Sequence, residues 1–460
     1  MRTHAKLPDG TRVTDYISLG VVAKTFPVTA VESALQKTGK ASIRHRDMPA
    51  HVVVYYVIAL ALYMQSSYRE VLRCLLEGIK WLLGPGTTVK VVGKSGISQA
   101  RTRLGWEPVR LLHDEIVRPI AVESTKGAWY KHWRLVSLDG STLDTADEKG
   151  NDEVFGRPSS RRGCSAFPQA RFVSLVENGT HVLFGTRIGS YRTGETTLAK
   201  KVLPSLRKGM LCLADRNFYG FELWGRATAT GADLLWRIKK NIGLPCEKRL
   251  PDGSYLSRIY GSREDRRRQE NGVIVRVIEY RLEGIEGAEP LYRLMTTILD
   301  HEAAPAQEMA ALYHERREIE TALDELKTHL RGSKIVLRSK TPDLVRQEFY
   351  GLMMAHFAIR GLMHEAALKA NEDTDRLSFL HAVRVVRRKI ASFAATPPQD
   401  RKAFHEAVLR EILEERVVST RSRINSRGIK RKMSSFPVRP RGCRKTAKIE
   451  IWNHWCPVNN

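Results

Sequence analysis

Gln307 to Leu330 reads QEMAALYHERREIETALDELKTHL. At about 100° per residue, Tyr313, Arg316, Glu320 and Lys327 fall within roughly 60° of arc, a single polar stripe on a helix. Leu312, Ile319, Leu323, Leu326 and Leu330 form an apolar stripe beside it. Mixed charges on a helix face are ordinarily a solvated face. Here one Glu is flanked by a Tyr, an Arg and a Lys beside the stripe that packs, which suits a carboxylate holding a metal while cationic neighbours hold a phosphate.

Upstream of this helix the texture is strands alternating with helices. Arg134–Leu138, Arg171–Glu177, His181–Ile188, Met210–Ala214 and Asp233–Ile238 are β-branched or apolar runs of strand length. Thr196–Leu206 and Phe218–Ala227 read as helices between them, so the pattern predicts a mixed α/β sheet. Asp139 closes the first of these strands and is followed by Gly140-Ser141. Asp215 closes the fourth and is followed by Arg216. Open α/β sheets place ligand groups at such strand ends, although either Asp alone reads first as a turn cap, and only the two together suggest a site. Lys239 to about Leu291 is rich in Gly, Pro and charge, with hairpin signals at Pro251-Asp252-Gly253 and Glu270-Asn271-Gly272. With the β-like runs Val273–Leu282 and Tyr292–Leu299, it reads as a β-rich insertion. After Ala306 the chain is helical almost to Glu415, broken at Thr396-Pro397-Pro398, and no internal repeat is visible.

Residues up to about Ala128 read as helical. Ser66–Leu83 follows a Ser cap, a Gly-Pro-Gly break stands at Gly84–Gly86, and a second helix starts near Ser98. Gln99, Arg101 and Arg103 fall on its exposed side with Leu104 buried. This is a helix-turn-helix or a packed helical bundle, and pattern alone does not separate the two. Gly93-Lys94-Ser95 resembles the end of a phosphate-binding loop, but the Gly required five residues earlier is Thr88, so nucleotide binding is rejected there.

The chain has 460 residues, 42% of them apolar, with 76 Lys+Arg against 50 Asp+Glu, a net charge of +26. That is enough apolar matter for a real core and excludes wholesale disorder. Twelve basic residues and no acid lie between Arg416 and Lys448; without them the rest still carries 26 − 12 = +14. A basic body as well as a basic tail predicts a polyanion partner, nucleic acid ahead of a membrane surface. The six cysteines are scattered with no Cys-x-x-Cys pair, the pattern of a reducing cytosol. Cys443, Cys456 and His454 lack a fourth zinc ligand at suitable spacing. The N-terminus carries no apolar signal core. The most apolar run, Val52 to Met64, is shorter than the roughly 20 residues a membrane span needs and is expected to be a buried helix.

The spacing Tyr313-x2-Arg316-x3-Glu320-x6-Lys327 resembles, residue for residue, the signature of the Tyr-Arg-Glu-Lys transposases, the insertion-element-four branch of the DDE transposases. Leu138-Asp139-Gly140-Ser141-Thr142 and Leu213-Ala214-Asp215-Arg216-Asn217-Phe218-Tyr219 resemble that family's two aspartate segments. Ser98-Gln99-Ala100-Arg101 and Leu337–Pro342 are also similar to family sequence. The resemblance covers roughly residues 30 to 390, and the tail beyond about Val417 lies outside it.

The resemblance implies an α/β fold: a ribonuclease H-like mixed-sheet catalytic domain (129–375) with its β-rich insertion at about 239–291. A helical N-terminal DNA-binding domain (1–128) precedes it, and a helical C-terminal region with a basic tail (376–460) follows. It implies a cytoplasmic, nucleoid-associated bacterial transposase that cleaves the ends of its element and joins the 3′ ends to target DNA. Its partners would be double-stranded DNA, at element ends and target, and a second copy in a synaptic homodimer, with no membrane. Two Mg²⁺ ions about 3.5–4 Å apart, with Mn²⁺ as a substitute, would sit on Asp139, Asp215 and Glu320, since such ions prefer carboxylate oxygens. Tyr313, Arg316 and Lys327 would contact phosphates near the cleaved end. Trp236 occupies a place where relatives stack a flipped base, and reads equally as a core Trp at a strand end. Arg263–Arg268 is a phosphate contact or a solvated turn. A DNA-binding protein reusing the fold gains nothing from three like-charged acids; a metal-dependent nuclease without joining activity stays open.

Overall fold

The computed structural model describes residues 24–43, 47–83, 92–160, 163–283, 289–332, 335–418 and 448–451. The Gly84–Gly86 break, the Cys443, His454 and Cys456 grouping and most of the basic tail lie outside them. Five helices come first: α1 (Val28–Lys37), α2 (Ala50–Leu62), α3 (Tyr68–Leu83), α4 (Lys94–Leu104) and α5 (Glu107–Ile116). α2 contains no Asp, Glu, Lys or Arg, so no side of it favours water, and every residue from Val52 to Leu62 is buried. The Ser cap of α3 is Ser67, whose Oγ accepts from the Glu70 amide at 3.2 Å. No helix among the described residues is long and apolar enough to cross a membrane.

Arg101 on α4 corrects the sequence reading. Gln99 and Arg103 are exposed as expected, but Arg101 is 1% exposed. Its guanidinium donates to Gln347 Oε1 at 2.8 Å and to Ser339 Oγ at 3.0 Å. A side chain so enclosed ties the N-terminal helices to the C-terminal part of the chain and has no surface to offer DNA.

The sheet begins with β1 (Trp129–Tyr130) and β2 (Trp133–Asp144), then α6 (Lys149–Phe155), β3 (Ser159–Ser160), β4 (Gly163–Cys164), β5 (Gln169–Glu177) and β6 (Val182–Ser190). α7 (Glu195–Val202), β7 (Met210–Ala214), α8 (Phe221–Thr228) and β8 (Asp233–Arg237) complete its first half. The expected insertion supplies β9 (Lys248–Arg249), β10 (Tyr255–Ile259), α9 (Arg263–Arg268), β11 (Val273–Glu283) and β12 (Tyr292–Thr296). It is no separate module: β12 pairs antiparallel with β8, and one sheet runs β6-β5-β2-β7-β8-β12-β11-β10-β9. Only β2–β7 and β7–β8 are parallel in that order. α9 is a short exposed helix in which Arg267 and Arg268 pair with Glu264 at 2.9 and 2.8 Å.

The C-terminal part comprises α10 (Ala306–Tyr313), a 3₁₀ turn at His314–Arg316, α11 (Arg317–Asp324), a π turn at Glu325–Leu330, α12 (Pro342–Lys369), α13 (Phe379–Ala395) and α14 (Arg401–Ile412). β13 (Lys448–Ile451) returns to pair with β11. The single helix expected over 307–330 is therefore four segments with three kinds of winding. Alternation along the strands sorts the core. Leu135, Leu211, Leu213 and Leu235 face α10, packing with Met309 and Ala310. Val136, Leu138, Cys212, Ala214 and Leu234 join the larger core, which also holds α2, α7 and α12. Gly351 of α12 sits so close to α2 that a Cβ there would meet the Val57 carbonyl at 2.6 Å.

Candidate active site

β2 and β7 run parallel from Arg134 opposite Met210 to Leu138 opposite Ala214, where β7 ends. The next residue on each chain is an acid, Asp139 and Asp215, so the two carboxylates start from neighbouring strands at the same level. Asp139 does not end its strand, as the sequence reading expected. β5 continues to pair with β2 as far as Asp144, so β2 runs on with its β7 side open. Alternation puts Asp139, Ser141 and Asp215 on the face of the sheet that α10 and α11 cover.

The polar stripe of 313–327 lands on this spot. Tyr313 donates through its hydroxyl to the Ala214 carbonyl at 3.3 Å, one residue before Asp215. Arg316 sends Nη1 to Asp139 Oδ2 and Nη2 to Glu320 Oε1, both at 3.2 Å. Lys327 donates to Ser141 Oγ at 2.9 Å, two residues beyond Asp139. The π turn carries Lys327 to this position; such turns recur at functional sites.

Charge is finely opposed here. Burial pushes the Asp139 carboxyl above the ordinary carboxylate range, Arg316 and the Gly140 amide pull it down, and Glu195 and Asp215 push it up. Burial lowers Lys327, with Arg331 acting in the same direction. Arg316 is raised by Tyr313, Asp139, Asp215 and Glu320 against the effect of its burial. Among the described residues no three acidic, histidine or cysteine side chains converge on one point to hold a metal. Asp139 and Glu320 converge instead on the Arg316 guanidinium. A cation is thus held between two carboxylates, and the donor set, all hard oxygen, fits a divalent ion of the Mg²⁺ kind.

Residues 16–114 match the family described as insertion element 4 transposase N-terminal, and residues 133–358 match the transposase DDE domain. The chain belongs to the insertion-element-four family of DDE transposases. It is 27% identical over 383 residues to the transposase InsG for insertion sequence element IS4 of Escherichia coli (strain K12), covering 80% of this chain and 82% of that one. The putative transposase InsZ of the same strain is 26% identical over 229 residues, 49% of this chain and 73% of that one. The piggyBac transposase synaptic complex with hairpin DNA covers 87% of this chain and 86% of its own, at a TM-score of 0.42 and 12% identity. As a member of the DDE transposases this chain is an enzyme acting on DNA, and its mixed sheet is the ribonuclease H-like one.

In this transposase Asp139, Arg316 and Glu320 are joined directly, with Asp215, Tyr313 and Lys327 around them. Trp236 is elsewhere. It is 0% exposed on β8 and meets Trp224 of α8 edge-on, with ring centroids 5.3 Å apart. Its faces are taken by the core, so the expected base-stacking role does not fit this structure. Three features went unread in the sequence. Glu195 opens α7 against Gly140. Glu289 gathers Arg216 at 3.0 Å, Arg237 at 2.7 Å and Lys240 at 3.9 Å beside Asp215. Beneath the π turn, buried His181 lies 3.1 Å from Glu325, 3.8 Å from Glu318 and 2.9 Å from Asp375, with Arg360 3.4 Å from Glu325. Each unites distant segments, so no local spacing signals it.

Proposed function

We propose that this transposase binds the ends of its insertion sequence as double-stranded DNA, cleaves them and joins the 3′ ends to target DNA within a homodimeric synaptic complex. The observation that carries this reading is the Arg316 guanidinium held by Asp139 and Glu320 beside Asp215: three acids and a cation-holding position at the open end of two parallel strands.

Asp139, Asp215 and Glu320 would hold divalent ions, Mg²⁺ or Mn²⁺. When bound, these supply an activated water or 3′-hydroxyl and a stabilised leaving oxygen for in-line attack at phosphorus. Arg316 and Lys327 bind the phosphates flanking the cleaved bond, Arg316 through a planar fork suited to two phosphate oxygens. Tyr313, tied to the Ala214 carbonyl, fixes the helix against the strand that carries Asp215. The +14 on the body of the chain draws DNA toward an acidic centre that would by itself repel phosphate.

The test is strand joining of a pre-cleaved element end into a plasmid with purified protein and Mg²⁺. Joined product that disappears with Asp139→Ala supports the reading. Cleavage without joining reduces the protein to a nuclease, and end binding with neither reduces it to a DNA-binding protein.

A further inference from the structure

α4 contains no acid: Lys94 to Leu104 reads KSGISQARTRL. Ile97, Ala100, Arg101 and Leu104 are buried, and the helix packs on α2, α3 and α12. Ser95, Gln99 and Thr102 are exposed, and helical spacing puts them within roughly 60° of arc on the outer face. Lys94 and Arg103 are exposed to either side of them. A solvated helix face ordinarily mixes acids with bases, as α9 does with Glu264 beside Arg267 and Arg268. This face offers only hydrogen-bonding and cationic side chains, and no large apolar side chain of α4 is exposed. Beside its C-terminal half lies a cleft of about 260 Å³, with Lys40, Met48, Arg103 and Leu104 in its lining. Lys40, just after α1, donates to the Arg103 carbonyl at 3.4 Å, so two cations stand at one flank of the helix.

The helix is held firmly from behind. Gln347 of α12 accepts from Arg101 Nε at 2.8 Å and returns its amide to the carbonyls of Arg101 at 3.1 Å and Gly105 at 2.6 Å. α12 in turn holds Glu325, two residues before Lys327, through Arg360 at 3.4 Å.

We propose that the outer face of α4 reads the element end in the major groove. Ser95, Gln99 and Thr102 meet base edges, while Lys40 and Arg103 hold backbone phosphates at the flank. A helix is about 10–12 Å across, and a major groove about 12 Å wide admits it. A glutamine pairs with adenine through two hydrogen bonds, and Ser and Thr hydroxyls serve any base. Because Gln347 fixes α4 on α12, the distance from the sequence read to the bond cut is set by the fold. The inference rests on the end binding in the proposed function and adds the surface that tells one sequence from another.

The experiment is a gel shift of the full chain in metal-free buffer on two duplexes, one carrying the element's own terminal repeat and one the same bases scrambled. Gln99→Ala is expected to cut the preference for the terminal duplex by roughly 5–150-fold, the worth of one two-bond base contact, with an unchanged melting temperature. Lys40→Ala is expected to weaken both duplexes alike and to lower the slope of log affinity against log salt by about 1. Gln99→Ala with the wild-type preference would overturn the inference and leave end binding intact. Lys40→Ala with the wild-type slope would overturn the phosphate contact at the flank. A wild-type chain that does not distinguish the two duplexes would overturn end binding itself.

Discussion

Arg316 holds Asp139 at 3.2 Å through Nη1, and the same guanidinium holds Glu320 through Nη2. The arginine side chain is 7% exposed, whereas that of Glu320 is 45% exposed, so the fork is buried at its root and open at one tip. It neutralises two acids that would otherwise repel. Removing one partner of a fully buried pair costs about 3–5 kcal/mol. With one acid in solvent, Arg316→Ala should cost roughly 1–3 kcal/mol in Mg²⁺-free buffer. Addition of Mg²⁺ should raise the melting temperature of the variant more than that of the wild type, because the ion replaces the lost guanidinium. Calorimetric melting with and without Mg²⁺ checks this; equal gains would contradict it.

Asp139→Ala, Asp215→Ala and Glu320→Ala should each reduce end cleavage below detection and leave end-specific binding within about twofold. Gel-shift and cleavage assays on the same duplex separate the two. Cleavage at the wild-type rate by any one of them would remove that acid from the site.

Among the described residues, the hydrogen-bond partner of Lys327 is the Ser141 hydroxyl. Lys327→Ala should weaken end binding at every sequence tested and lower the slope of log affinity against log salt by about 1. An unchanged slope would argue against a phosphate contact.

The buried cluster under the π turn predicts a pH dependence. Burial and Arg360 push His181 down, Asp375 and Glu325 push it up, and the acids win, at about 9. Its folded value thus exceeds the ordinary histidine value of 6.5. The stabilisation it contributes is complete below pH 6.5 and is lost as pH rises through about 9. Burial holds the neighbouring His356 below the ordinary range, so it does not take over the charge. Melting temperature followed from pH 6.5 to 9.5 should fall, and the fall should be shallower in His181→Gln.

Trp236→Ala should act as a core truncation. A fully buried Trp costs about 3–5 kcal/mol on such a change, visible in urea denaturation. A variant with wild-type stability and a selective defect in end processing would restore the stacking role to this residue.

Strand positions were legible because β-branched runs and turn residues are local signals, and the Tyr-Arg-Glu-Lys stripe was legible because helical spacing alone aligns it. The stripe survives even though the helix is broken, since the 3₁₀ and π turns lie either side of Glu320. What stayed hidden depends on pairing. Asp139 read as a strand end because Gly140 follows it, yet β5 carries the strand on to Asp144. Arg101 looked exposed by periodicity, but its partners Gln347 and Ser339 come from about 240 residues away. Glu195 comes up against Gly140 through the packing of α7 on β5 and β6, which no local spacing signals. The insertion read correctly as β-rich; that it would extend the main sheet was set by the edge β8 offers, which composition does not reveal.

The all-apolar α2 leaves the ribosome early, and the helix that encloses it, α12, begins 280 residues later (342 − 62). At about 5–20 residues per second, that interval is roughly 15–60 s. Throughout it this thirteen-residue apolar helix can pack on α1, α3 and α4, but the face that α12 covers stays exposed. A nascent chain halted before residue 342 should therefore expose one apolar face of α2. The yield of folded transposase should depend on the pace of synthesis between codons 62 and 369 more than on any single contact in the finished molecule.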